Sequence, residues 1–121
     1  EHGYRFAKID GVVYEATFTC KKGFDENLLA MFKTMRDNQP QMPSAGSCFK
    51  NPKGSFAGKL IEDAGFKGKR IGNMSFSEHH ANFLVNLGGG TFEDAITLIN
   101  AVKEEVFSRF GIRLEEEIII L

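Results

Sequence analysis

The chain of 121 residues has no tryptophan, two cysteines and three prolines. Cys20 and Cys48 are not spaced as Cys-x-x-Cys, which excludes a redox or zinc-ribbon motif and leaves a reduced pair as the expectation. There is no surplus of either charge: fifteen Lys and Arg face sixteen Asp and Glu, for a formal charge of −1. That balance excludes general attraction to nucleic acid or to anionic membrane surfaces. No apolar run approaches the length of a membrane span, and no signal peptide is expected, so a cytoplasmic location is. Internal repeats and low-complexity segments are absent. So is a Gly-x-Ser-x-Gly elbow, because Phe49 and Lys50 follow Cys48, which makes a serine or cysteine hydrolase a remote reading. Gly88-Gly89-Gly90-Thr91 lacks the lysine of a P-loop and the spacing of a dinucleotide fingerprint; it reads as a turn before a helix rather than a phosphate cradle. His79 and His80 are adjacent, and neighbours in a strand point to opposite faces, so no metal site is expected there.

What is present describes one soluble globular domain over residues 1–121, with 42% hydrophobic and 26% charged residues. Residues 1–11 form a lead-in and 12–121 the domain proper. Val12 to Cys20 is rich in β-branched and aromatic residues and predicts a strand. Asp25 is placed to cap a helix running to about Asn38, whose stripe Leu28, Leu29, Phe32 and Met35 predicts a core-facing side. Ala57 to Ala64 predicts a short helix stopped by Gly65. Its Gly58 weakens it, so packing or a ligand must support it. Gly68–Asn73 and Ala81–Asn86 predict short strands. Thr91 opens a long helix with Asp94 completing a capping box, Ala95, Ile99, Val102, Val106 and Phe110 as its buried stripe, and Gly111 as its end. Arg113–Leu121 predicts a final strand. This order lacks strict βαβ alternation and predicts an α+β fold, with helices packed on one face of a mainly antiparallel sheet.

Two stretches carry candidate chemistry. Pro43-Ser44-Ala45-Gly46-Ser47-Cys48-Phe49-Lys50-Asn51-Pro52 is constrained by proline at both ends and crowded with polar groups, which suits display to a ligand. The same spacing fits an ordinary Pro/Gly surface loop. Between Ser47 and Gly72 six bases face two acids, an asymmetry that favours an anionic small molecule such as a phosphate ester, or else a solvated surface. In Glu115-Glu116-Glu117, alternation along a strand sets Glu116 on one face and its neighbours on the other.

Together these motifs resemble the C-terminal part of the UDP-N-acetylenolpyruvoylglucosamine reductase (MurB) family. The resemblance runs through Gln39-Pro40, the Pro43–Pro52 stretch and Ala57-Gly58-Lys59-Leu60-Ile61-Glu62. It continues in Gly65-Phe66-Lys67-Gly68, Ser77-Glu78-His79-His80-Ala81-Asn82-Phe83, Val85-Asn86 and Phe110 to Ile118. It implies an oxidoreductase of peptidoglycan (cell wall) biosynthesis, with roles in cell shape and division. Such an enzyme reduces UDP-N-acetylglucosamine enolpyruvate to UDP-N-acetylmuramate with FAD and NADPH. It further implies Ser47 as proton donor, Glu117 and Arg5 as catalytic partners, and Tyr4, Lys50 and Asn51 as substrate contacts. A Gly-rich FAD-binding half is not part of the chain, so no cofactor is expected on it and an N-terminal FAD-binding domain is its expected partner. Two stretches depart from the family pattern: Phe6-Ala7-Lys8 follows Tyr4-Arg5, and Ile119 stands where an arginine is common. A stand-alone nucleotide-sugar or phosphate-binding module without catalysis is the alternative.

Overall fold

The longest helix shows how its ends are written into the sequence. In the computed structural model, which describes residues 2–3 and 6–121, helix α3 spans Phe92–Phe110 when nine elements are numbered in chain order. The Thr91 hydroxyl accepts from the Asp94 N–H, the Asp94 carboxylate accepts from the Thr91 N–H, and Gly111 closes the other end. Ile99, Val102 and Val106 are buried as predicted. Leu98 joins them, whereas Ala95 is half-buried and Phe110 exposed. The buried face is therefore shorter than the periodic stripe, because the helix runs on past the surface it covers.

Strands β1 (His2–Gly3) and β2 (Phe6–Ala7) form a separate antiparallel pair. The main sheet is antiparallel, in the order β3-β6-β5-β4, from β3 (Ser44–Ser47), β4 (Arg70–Ile71), β5 (Met74–Phe76) and β6 (Phe83–Asn86). Helix α3 packs on β4 and β5, and α2 (Ala57–Asp63) packs on α3. The core joins Phe49, Ile61, Phe76, Leu98, Val102 and Val106, with Ile71, Met74 and Leu84 packed against it. This is the expected α+β architecture.

Several local expectations are corrected. Gly68–Asn73 is not one strand: Gly72-Asn73 is the turn of a hairpin in which Ile71 pairs with Met74, and β5 follows. Gly72 has φ 55, and a Cβ on it would stand 2.2 Å from the Asp94 carboxylate, so only glycine seats this turn against α3. Ser44–Ser47 is not a loop but an edge strand, pairing Ser44 with Val85 and Ser47 with Phe83 through a bulge. Its small polar residues have low strand propensity, yet an edge tolerates them. Gly46, at φ 87, supplies the irregular step. Arg113–Leu121 makes one bridge, Phe49 to Glu116, rather than a strand.

Val12–Cys20 forms no strand and is exposed throughout, with Val12 92% and Tyr14 94% accessible. β-propensity describes fit to a half-buried pleated surface, and no described residue offers it one. Helix α1 spans Glu26–Asp37, with Asp25 accepting from the Leu28 N–H, close to the predicted limits. Its stripe is not core, however: Leu28, Leu29, Phe32 and Met35 are all exposed and α1 buries no residue. Periodicity fixes the helix and its apolar side but not what covers that side.

Candidate functional site

The segment after β3 is fixed by bonds to two distant parts of the chain. Cys48 and Phe49 are fully buried. The Cys48 N–H donates to the Asn82 carbonyl at 2.7 Å. The buried Asn82 carboxamide then takes both backbone groups of Phe49, accepting from its N–H at 3.0 Å and donating to its carbonyl at 2.8 Å. On the other side the Glu117 N–H donates to the Cys48 carbonyl at 2.9 Å, and the Lys50 N–H to the Glu115 carbonyl at 2.9 Å. The backbone polar groups are thus satisfied within the fold, and the segment has little freedom to shift.

Ser47 and Glu117 therefore meet at one hollow of about 430 Å³. One wall is Ser47, Phe49, Asn51 and Glu117; a second is Phe56, Gly58, Lys59 and Glu62 at the start of α2; the third is His79 to Asn82, with Lys67 at the edge. Both Ser47 and Glu117 are half-buried. Asn51 does a second task, since its Oδ1 accepts from the Ala57 N–H at 3.0 Å. It stands in for Phe56, the N-cap residue of α2, whose side chain offers no hydrogen bond. Gly58 is explained by packing: a Cβ there would lie 3.3 Å from the His80 ring, which in turn meets Phe83 edge-on. The His80 Nδ1 accepts from the Asn82 N–H at 3.3 Å.

The three glutamates separate in three directions. Glu115 pairs with Lys50. Glu116 takes a bond from Lys103 on α3 at 2.6 Å, and this bond holds its carboxyl below the usual carboxylate range. Glu117 turns to the hollow. Lys50, expected as a substrate contact, does not line the hollow and is drawn to Glu115. Tyr4 and Arg5 lie outside the described residues.

The positive excess counted in the sequence falls by only one charge in space, that of Lys50 taken by Glu115 from the tail; the other two pairs join groups already counted. Lys59 donates to Asp63 at 2.6 and 2.9 Å, Lys67 to Glu62 at 2.9 Å, and Lys50 is taken by Glu115. Counting along the chain missed Glu115 because it comes from the far end. The Asn82 clamp was also missed, since an asparagine before a strand carries no signal that it serves another segment.

Other candidate chemistry finds no support in the geometry. Burial, chiefly, pushes the Cys48 thiol up to about 12, with the Glu116 charge adding and Lys103 opposing. It is no nucleophile near neutral pH. In the glycine-rich turn, the Gly88 and Gly90 N–H groups both donate to Asn86 Oδ1, at 2.9 and 3.0 Å, and the Thr91 N–H to Asp94. Those donors are spent internally rather than on a phosphate. Among the described residues, no three His, Cys, Asp or Glu side chains are grouped to hold a metal ion. A larger cavity, of about 600 Å³, lies between residues 37–42 and the sheet, but it contains neither Ser47 nor Glu117.

Residues 38–121 match the family described as UDP-N-acetylenolpyruvoylglucosamine reductase, C-terminal domain. The UDP-N-acetylenolpyruvoylglucosamine reductase of Helicobacter hepaticus is 53% identical over 118 residues, covering 98% of this chain and 45% of that protein. That of Aquifex aeolicus is 50% identical over 113 residues, covering 89% of this chain and 38% of that protein. The crystal structure of UDP-N-acetylenolpyruvylglucosamine reductase (MurB) from Thermus caldophilus matches with a TM-score of 0.65 at 40% identity, over 75% of this chain and 32% of that one. The chain thus spans less than half the length of these relatives.

Proposed function

Because the chain belongs to the UDP-N-acetylenolpyruvoylglucosamine reductase family, we propose that it is the substrate-binding and proton-donating part of such a reductase. The reaction is reduction of the enolpyruvyl ether of a UDP-sugar to the lactyl ether of UDP-N-acetylmuramate, in the cytoplasm, for peptidoglycan. The observation that carries this reading is the convergence of Ser47, Asn51 and Glu117 on one hollow.

FAD and NADPH belong to the same proposal, but the turn before α3 does not fit the phosphate of either. That glycine-rich turn spends its N–H groups on Asn86 and Asp94. We assign the hydride chemistry to the part of the relatives that this chain does not cover. The work left to these residues is to hold the UDP-sugar and to move a proton.

Reduction of an enol ether beside a carboxylate leaves charge on the carbon next to that carboxylate. The Ser47 hydroxyl supplies the proton: its O–H bond breaks, a C–H bond forms, and the alkoxide is reprotonated from solvent. Serine is a weak acid, yet a carbanion is a far stronger base, so the transfer runs downhill. Glu117, as a neutral carboxyl group donating a hydrogen bond, stabilises the developing charge, and the Arg5 guanidinium is assigned the same task. Asn51, already fixed at the start of α2, contacts the nucleotide.

In the enzyme that carries this domain, Ser47→Ala is expected to leave flavin reduction by NADPH intact. It should slow substrate reduction by about 10²–10⁴-fold, the range of a lost general acid. Normal turnover in that variant would overturn the assignment.

A further inference from the structure

Lys59 stands in a motif that the roles above leave unused. Of the six bases between Ser47 and Gly72, only Lys59 and Lys67 line the hollow. A UDP-sugar brings a diphosphate, and a hollow that takes it out of water needs an opposing charge. As it stands the hollow has none to spare, because both lysines are already paired with acids.

The two lysines differ in where their partners sit. Lys67 is held by Glu62, which is itself in the lining, so that pair cancels in place. Lys59 is held by Asp63, which lies outside the lining. Rotating the Lys59 ammonium from Asp63 into the hollow would bring a charge without its counterion. The Lys59 side chain is 67% exposed, and an exposed i,i+4 pair is weak, so the exchange is easily driven. Lys50, by contrast, would have to leave Glu115 and enter a hollow that it does not border.

We propose that Lys59 is the cation that receives the diphosphate, that Asp63 holds it until the ligand arrives, and that Lys50 takes no part in binding. This rests on the reading of the hollow as a UDP-sugar site. The test is calorimetric titration of the chain with UDP-N-acetylmuramate, UDP and uridine, using Lys59→Gln, Asp63→Asn, both together, and Lys50→Gln. Lys59→Gln should weaken both diphosphate ligands by about ten- to a hundredfold, as for loss of one charged hydrogen bond. Uridine binding should stay within about twofold, since it carries no charge to oppose. Asp63→Asn should tighten UDP only while Lys59 is present, a coupling that the double variant measures. Equal losses for uridine and UDP, no loss at all, or a larger loss from Lys50→Gln would each overturn the inference while leaving the site reading in place. A parent chain that binds none of the three ligands would overturn the site reading and this inference with it.

Discussion

The backbone N–H of Glu117 donates to the carbonyl of Cys48 at 2.9 Å. Ser47 is the residue before that carbonyl, so one bond ties the proposed proton donor to the proposed acid from the tail. The strength of the tie comes from burial, because Cys48 and Phe49 are inaccessible and anchor the segment in the core. Neither functional side chain is itself held by this bond. The backbone is placed first, and the side chains inherit their positions from it.

Asn82 is the other half of that anchor. Its carboxamide satisfies both backbone groups of Phe49 in a buried setting. Asn82→Ala would leave a buried donor and a buried acceptor without partners, at roughly 1–3 kcal/mol each. The expected loss is about 2–6 kcal/mol in urea unfolding, with the slope unchanged. Asn82→Asp keeps the acceptor but sets a buried carboxylate against the Phe49 carbonyl, so its loss at neutral pH should be at least as large and should shrink in acid, where the protonated acid can donate. An Ala variant as stable as its parent would mean that the clamp contributes nothing.

The contrast between what could be read and what could not follows from range. The Thr91–Asp94 box and the Asp25 cap are local hydrogen bonds between neighbours in sequence, and both stand where the sequence put them. The run of β-branched and aromatic residues from Val12 to Cys20 is as strong a signal, but a strand needs a partner, and none is described. Ser44–Ser47 is the reverse case: weak local propensity, overridden by the neighbouring β6. In the site, Ser47, Asn51 and Glu117 were named by family likeness. The pairing of Lys50 with Glu115 depends on the Cys48–Lys50 backbone meeting the tail, which no local pattern records.

Acid should weaken the fold through Glu116. The Lys103 bond holds its folded pKa below the ordinary value, so the folded state binds that proton less tightly than the unfolded chain. The stabilisation is therefore complete above the unfolded value of about 4.3 and is lost as pH falls through the folded one. The two side chains are 26% and 35% exposed, so the effect should stay below about 1 kcal/mol. In unfolding measured from pH 2 to 7, Glu116→Gln should be less stable than its parent above about pH 5, with the gap closing in acid. A gap that persists unchanged at pH 2 would point to packing rather than charge.

The two thiols should differ sharply in reactivity. Cys20 is exposed, whereas Cys48 is buried with its pKa pushed up to about 12. With Ellman's reagent at pH 8, one thiol should react promptly and the second only at the rate of opening or unfolding. Two fast equivalents in the native protein would show Cys48 to be reachable, and would restore it as a candidate nucleophile.

The first 37 residues should be dispensable for the stability of the rest. Every residue from Ala7 to Gln39 is exposed, including the apolar stripe of α1, and the core begins at Cys48. Residues 7–37 bury no side chain, so they add little hydrophobic stabilisation, whatever their apolar content. The family match also begins at residue 38. A chain reduced to 38–121 should keep its unfolding free energy within about 1 kcal/mol, which for a domain of this size is a shift in Tm of about 4–8 °C or less. Its helical circular dichroism should fall by the share belonging to α1. A loss of several kcal/mol on truncation would mean instead that the exposed stripe of α1 is covered in solution by this same domain.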